Sequence, residues 1–252
     1  MGTATLRIAQ AFQDMYFRDR YELDNNIEMM QMDIFEADGM FQYHFKPQIS
    51  GELLFQLIRD VALKNDIHPN DLVILSPTHK TIRNLEHSFR HIARELTSHI
   101  CETEEEYDNL LEKFNLKNTP YPERNLEFKR ELDYIRHGRK FHFWPNAGTV
   151  KLSTIHSFKG WEANTLILVI SNTSGAEENG SLDELIYTAL TRARKNLIII
   201  DTTGSYRNFF NSFSKGTIEH NSLDEVYRVN APKWGVFRSI ETRIANLIVI
   251  ID

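Results

Sequence analysis

The residues best suited to chemistry lie in two short segments. The first, Ser153 to Glu162, reads STIHSFKGWE and leads into the apolar run Leu166 to Ile170. A polar loop at the carboxyl end of a parallel strand is where open α/β sheets place their ligands. Gly160 supplies a point where that backbone can turn or approach a ligand closely. His156, taken alone, reads as an ordinary loop histidine. The second segment, Leu185 to Asn196, reads LIYTALTRARKN and belongs to a helix expected over about Leu182 to Lys195. Ser181 with Glu184 gives that helix a capping box, and Leu182, Leu185, Ile186, Ala189, Leu190 and Ala193 form its buried stripe. Glu184, Thr188, Arg192 and Lys195 fall on another face. Arg192 is thereby expected off the core face near the helix end, a planar and permanently charged group suited to stabilising charge on a transferring phosphoryl group. Arg194 and Lys195 read more simply as cations at the negative end of the helix dipole.

The order Thr, any residue, His, two residues, Lys-Gly, any residue, Glu resembles motif V of UvrD/Rep-type superfamily I DNA helicases. Thr154, His156, Lys159, Gly160 and Glu162 match it. Tyr187, Thr191, Arg192 and Ala193 similarly match motif VI of the same family. Asp71 to Glu86, reading DLVILSPTHKTIRNLE, resembles motif IV, with Pro77 where the family often has a basic residue. The resemblance covers roughly residues 70 to 202 and implies the second RecA-like domain of such a helicase. It implies that Arg192 is the catalytic arginine finger and that Gly160, Glu162, Tyr187 and Arg192 face ATP, with Glu162 on the ribose. It also implies that Thr154, His156, Lys159 and Thr191 face DNA. Lys159-Gly160, where the 5′-to-3′ branches tend to carry Gln-Gly, points to 3′-to-5′ travel.

A P-loop needs Gly-Lys followed by Ser or Thr, because backbone amides cradle the phosphates and the lysine meets the terminal ones. The sequence contains no Gly-Lys pair, and no acidic pair for magnesium is identifiable. The resemblance therefore implies that ATP and Mg²⁺ are shared with an N-terminal P-loop domain carrying the Mg²⁺ ligands, and that this chain alone does not hydrolyse ATP. The implied partners are that domain and single-stranded or duplex DNA. An alternative is a nucleic-acid-binding or regulatory module that keeps the helicase fold without its catalysis. A doubly wound small-molecule enzyme would show a glycine-rich first turn after a strand, and none is visible.

The elements that must position these residues follow from periodicity. Leu72 to Leu75, Leu166 to Ile170 and Leu197 to Ile200 are continuous apolar runs, as in strands buried on both faces of a parallel sheet. Helical segments lie between them, near Thr81 to Leu96 and Leu182 to Lys195, together with a shorter strand from Val150 to Thr154. This alternation predicts an α/β, RecA-like three-layer fold with a mostly parallel sheet. A β-hairpin is expected from Met30 to Phe45 around Asp38-Gly39. A helix is expected from the first residues, with Leu6, Ile8, Ala9, Phe12, Met15 and Tyr16 near helical spacing, and so abrupt a start suggests a piece of a longer protein. Ser50 is expected to cap another, its stripe Leu53, Leu54, Leu57, Ile58 and Val61. The expected organisation is one domain over 1–252, with a core of about 50–202, a small insertion over 101–145 between motifs IV and V, and a C-terminal extension over 205–252. Within the insertion, helix signals fall at Glu102 to Phe114 and Leu126 to Ile135. The patch His137 to Trp144 reads most simply as a strand whose aromatics enter the core, the alternative being stacking on single-stranded bases.

Composition limits the function classes. With 252 residues, 41% hydrophobic and 25% charged, the chain can bury a substantial core. One cysteine, Cys101, excludes an internal disulfide and the paired thiols of a zinc ribbon, and no histidine spacing suggests a metal site. No apolar run reaches the roughly 20 residues of a membrane helix, and no secretory signal opens the chain, so a cytoplasmic protein is expected. A formal charge of −6 gives no global attraction to nucleic acid, so DNA contacts must come from a local cleft.

Overall fold

In a computed structural model, residues 3–21, 39–49, 51–144, 147–172 and 181–213 are described. The three apolar runs lie within one six-stranded sheet. β1 (Phe41–Phe45), β2 (Leu72–Ser76), β3 (Thr97–His99), β4 (Val150–Thr154), β5 (Ala163–Ile170) and β6 (Ala193–Asp201) stand in the order β1-β6-β5-β2-β4-β3. Every neighbouring pair is parallel. Continuous apolar sequence fits this placement, since β2, the last six residues of β5 and the last five of β6 are buried throughout.

Two helical groups cover the sheet. α1 (Thr3–Tyr16) packs on α6 (Leu182–Leu190) and β6, and α7 (Arg207–Asn211) packs on β1. α2 (Gly51–Lys64) packs on α3 (His79–Ser88), which covers β2 and β4. This is the layered α/β architecture on a parallel sheet that the sequence predicts. Phe12 on α1 is fully buried, with the rings of Tyr16, Phe17, Tyr206, Phe209 and Phe210 centred 4.3 to 6.2 Å away. Such rings add about 0.5–1.5 kcal/mol per well-formed pair beyond their buried area. The main buried cluster consequently runs from Ile8 to Phe210, wider than the 50–202 stretch read from sequence.

Several local expectations are corrected. Phe41–Phe45, expected as the second arm of a hairpin, is an edge strand parallel to β6; the first arm, Met30 to Ile34, lies outside the described residues. Gly39 is needed for that docking, because a Cβ there would stand 1.8 Å from the Lys195 carbonyl oxygen. Ser50 and the C-terminal run 247–251 also lie outside the described residues. Met15 and Leu53, assigned to buried stripes, are exposed, and Phe55 and Ala62 take places in the core of α2. The helix expected to Lys195 stops at Leu190, because Ala193 onward is drawn into the ladder with β5. Pairing in a central strand overrides the helix-forming residues of Arg192 to Lys195. The capping box at Ser181 is not formed: its hydroxyl accepts from Arg20, and Glu184 accepts from the Tyr21 hydroxyl, so both are engaged by the segment after α1.

Residues after β3 form a helical pair, α4 (Glu104–Lys113) and α5 (Leu126–Phe141), around a small core of Leu110, Phe128 and Leu132. A capping box is formed here, by Thr103 with Glu106. The patch from His137 is the end of α5 and its exit turn rather than a strand. Phe141 and Trp144 are exposed, and only Phe143 enters the main core, edge-on to Phe158. None of the described helices is long and apolar enough to cross a membrane.

Candidate nucleotide and nucleic-acid site

The segment Ser153 to Glu162 connects two parallel neighbours of β2, and that topology decides what it can do. Thr154 ends β4 at the carboxyl edge of the sheet, whereas Ala163 begins β5 at the amino edge. Residues 155–162 therefore cross from one edge to the other as a tight series of turns. The sequence placed this loop at the carboxyl ends of the strands; the structure places only its start there.

At the carboxyl edge, Thr154 is buried and its hydroxyl accepts from the Ser157 amide at 3.4 Å. Its carbonyl accepts from the Phe158 amide at 3.1 Å, so Thr154 sets the first turn of the crossover. His156 follows it and is exposed. The same edge carries a hydroxyl group of residues from three places in the chain. Ser76 ends β2, Thr78 caps α3 through the Thr81 amide, and Ser171 follows β5; their oxygens and that of Thr81 lie 2.9 to 3.3 Å apart. Sequence reasoning passed over these residues. The signal was present in Ser-Pro-Thr-His-Lys-Thr directly after a buried strand, but Ser171 joins them only through the sheet order.

Lys159, Gly160 and Trp161 are exposed along the crossover. Gly160 has φ +94°, a backbone region that side-chain-bearing residues rarely adopt, and this turn aims the chain toward the amino edge. There Glu162 accepts a 2.7 Å hydrogen bond from Arg194 Nε, both side chains being largely exposed. The Ala163 amide donates to the Arg192 carbonyl at 3.0 Å, tying the end of the crossover to the turn between α6 and β6. β5 is bulged between Ala163 and Thr165, beside this junction.

Arg192 occupies that turn and not a helix. Its Nε donates to the Thr188 carbonyl at 3.3 Å and an NH₂ group donates to the Thr191 hydroxyl at 3.2 Å, which holds the half-buried guanidinium beside the end of α6. Thr191 in turn donates to the Thr188 carbonyl at 2.8 Å. Tyr187 is half-buried, donates to Gln13 Oε1 at 2.8 Å and stands edge-on to Phe17. The structure thus gathers Glu162, Thr191, Arg192 and Arg194 at the amino edge, with Tyr187 turned to α1. Thr154 and His156 stand at the carboxyl edge, so Thr191 is separated from the other residues assigned to DNA.

Behind the carboxyl edge lies a buried ion network. Glu102 is fully buried and accepts from Arg83 at 2.5 Å and from Arg136 at 2.7 and 3.1 Å. Burial opposes its ionisation, but the Arg136 hydrogen bonds and the charges of Arg136 and Arg83 hold the carboxyl below its usual range. Arg83 also stacks on Tyr107, 3.6 Å from the ring centre. α3 is thereby joined to both helices of the insertion.

Two histidines near this network titrate unusually. Burial, then the Arg136 charge, pushes His79 down to about 4, and His156 is close enough to add to the effect. Burial and the Arg139 guanidinium, 2.6 Å from the ring, push His99 down to about 4. An unfolded histidine takes its proton near pH 6.5. The folded state therefore keeps the full contribution of these neutral rings above about pH 6.5 and loses it as pH falls toward 4, by up to about 3 kcal/mol per ring. Urea midpoints should drop between pH 6.5 and 4.5, above most carboxylate titration, and His99→Gln should flatten the slope. A wild-type midpoint constant across that window would contradict this assignment.

Comparison with known proteins accords with this geometry. Residues 149–200, from before β4 to the end of the buried run of β6, match the family model described as the UvrD-like helicase C-terminal domain. No curated protein matches the chain. Among solved structures, the C-terminal domain of a possible DNA helicase from Lactobacillus plantarum WCFS1 is similar, at 15% identity and a TM-score of 0.37 over 65% of this chain and 75% of that one. The matched segment holds the crossover, α6 and the Arg192 turn together. Over residues 149–200, about a fifth of its length, the chain is similar to the UvrD-like helicase C-terminal domain.

Proposed function

We propose that this chain is the second RecA-like domain of an ATP-dependent DNA helicase, closing over a nucleotide held by a P-loop domain and travelling 3′ to 5′ along single-stranded DNA. The observation that supports this reading is the crossover 155–162, which joins the carboxyl edge, with Thr154 and His156, to the amino edge, with Glu162, Arg192 and Arg194; in this scheme the first edge faces DNA and the second the nucleotide. A change in how the nucleotide is held at one edge is thereby felt at the other. Arg192 is the catalytic residue in this scheme. It meets the γ-phosphate as charge spreads onto the transferring group, which a permanently charged planar group stabilises. Glu162 contacts the ribose and Gly160 gives the loop its approach, while Lys159 adds a cation along the strand path. Mg²⁺ would be held by the P-loop domain and not by these residues.

The test is hydrolysis of ATP with and without single-stranded DNA, using the protein together with its P-loop domain. Stimulation by DNA, with strand displacement on a duplex bearing a 3′ overhang and not a 5′ overhang, is the expected result. DNA binding with no stimulated hydrolysis would replace this reading with a binding or regulatory module on a helicase fold.

A further inference from the structure

A cluster of metal-ligating side chains stands on the outer face of the α3 and α4 helices. His87 lies in the last turn of α3, and after Ser88 the helix widens into a π-helical turn over Phe89–Ala93 that carries His91. Such turns are concentrated at functional sites. The two imidazoles are neighbours at this spacing, their centres 4.3 Å apart. Glu105, in the first turn of α4, faces them from the insertion. His91 Nε2 is 3.1 Å and His87 Nδ1 is 4.0 Å from Glu105 Oε1, and one ligand atom from each of the three lies within 4.8 Å of the others.

From this geometry we infer that His87, His91 and Glu105 bind a zinc-class divalent cation, with water completing the coordination. Two nitrogens and a carboxylate oxygen select a borderline metal such as Zn²⁺ over Mg²⁺ or Ca²⁺, which prefer all-oxygen shells. Bonds of about 2.0–2.1 Å in a tetrahedron place ligand atoms about 3.4 Å apart, so shifts of the order of 1 Å in exposed side chains bring the set together. All three are about half exposed, which leaves room for that movement and for entry of the ion. Arg90 stands against the cluster as a cation. It engages the other oxygen of Glu105 and pairs with Glu86 at 3.1 Å, which leaves Oε1 turned to the histidines and offsets the guanidinium's charge. A carboxylate ligand oriented by a second hydrogen bond is the usual construction around bound metals. Because the histidines belong to α3 and the carboxylate to α4, the ion would clip the insertion to motif IV's helix, independently of any role in ATP turnover.

The test is titration of Zn²⁺ into untagged, chelator-stripped protein against a chromophoric competitor, with Co²⁺ substitution reporting geometry by visible absorption. One equivalent bound in the micromolar range, with a tetrahedral or five-coordinate Co²⁺ spectrum, is expected. His87→Ala and His91→Ala should each weaken binding at least about tenfold and Glu105→Gln by about as much, since even supporting partners are worth that factor. His142→Ala, an exposed histidine elsewhere, should leave it unchanged. No binding, or binding that survives His91→Ala, would overturn the assignment.

Discussion

In the proposed helicase, where this chain works with a P-loop domain, Arg192→Ala should reduce ATP hydrolysis by about 10³-fold or more, while single-strand binding is retained. The size of the effect comes from the chemistry that the side chain would serve. A phosphoryl group in transfer spreads charge over its oxygens, and a preorganised cation aimed at them acts without reorganising at the moment of reaction. Arg192 is preorganised in this sense, held at the amino edge through the Thr188 carbonyl and the Thr191 hydroxyl. Arg192→Lys should recover little, because a point charge on a flexible stem does not reproduce the planar fork. Arg194→Ala separates the two candidate arginines. Arg194 is exposed and already paired with Glu162, so its loss should act on nucleotide affinity more than on turnover. If Arg192→Ala turns over like wild type and Arg194→Ala does not, the finger is misassigned by two positions.

The second large effect is on stability. Glu102→Gln should lower unfolding free energy by about 3 kcal/mol, the low end for breaking a buried pair, because it removes the buried counter-charge of Arg83 and Arg136 and leaves them only their outer partners Glu104 and Glu123. Glutamine keeps the volume and part of the hydrogen bonding, so the loss reports charge and not a cavity. Urea unfolding at pH 7.5 measures it, and Arg83 offers a spectroscopic check through Tyr107, on which it stacks. The comparison is the exposed pair Lys113 and Glu131, where Glu131→Gln should change stability by less than about 1 kcal/mol. An equal and small effect at both positions would show that Glu102 is solvated and that the insertion is held by its apolar contacts alone.

How much of this was legible in the sequence depends on the range of the interaction. The buried strands were readable because β2, β5 and β6 carry continuous apolar runs, and the helix before Arg192 because its stripe recurs at helical spacing. The end of that helix was not readable. Nothing local to Ala193 distinguishes helix from strand until β5 is beside it. The failed capping box has the same cause, since Arg20 and Tyr21 are more than 150 residues away in the chain. In the site, the residue types of the crossover were visible, but its two-edged placement followed only from the parallel pairing of β4 and β5 with β2. The histidine pair at 87 and 91 was passed over in the sequence, where its spacing alone suggests no metal site, and Glu105 becomes its neighbour only when the insertion folds back.

The sheet order also dictates a sequence of events in folding. β1 pairs with β6 alone among the described strands, Phe41 standing opposite Leu197, and α1 finds its partners in Tyr187, Tyr206, Phe209 and Phe210. The first described helix and strand therefore emerge from the ribosome long before their partners α6, β6 and α7. During synthesis β2, β4 and β5 are available to pair before β6 arrives and offers its outer edge. Contacts of such long sequence separation make closure slow, and until it happens Ile8 and Phe12 remain an exposed apolar face. Nascent chains halted before β6 should be a preferred substrate for chaperones, and full-length chains much less so.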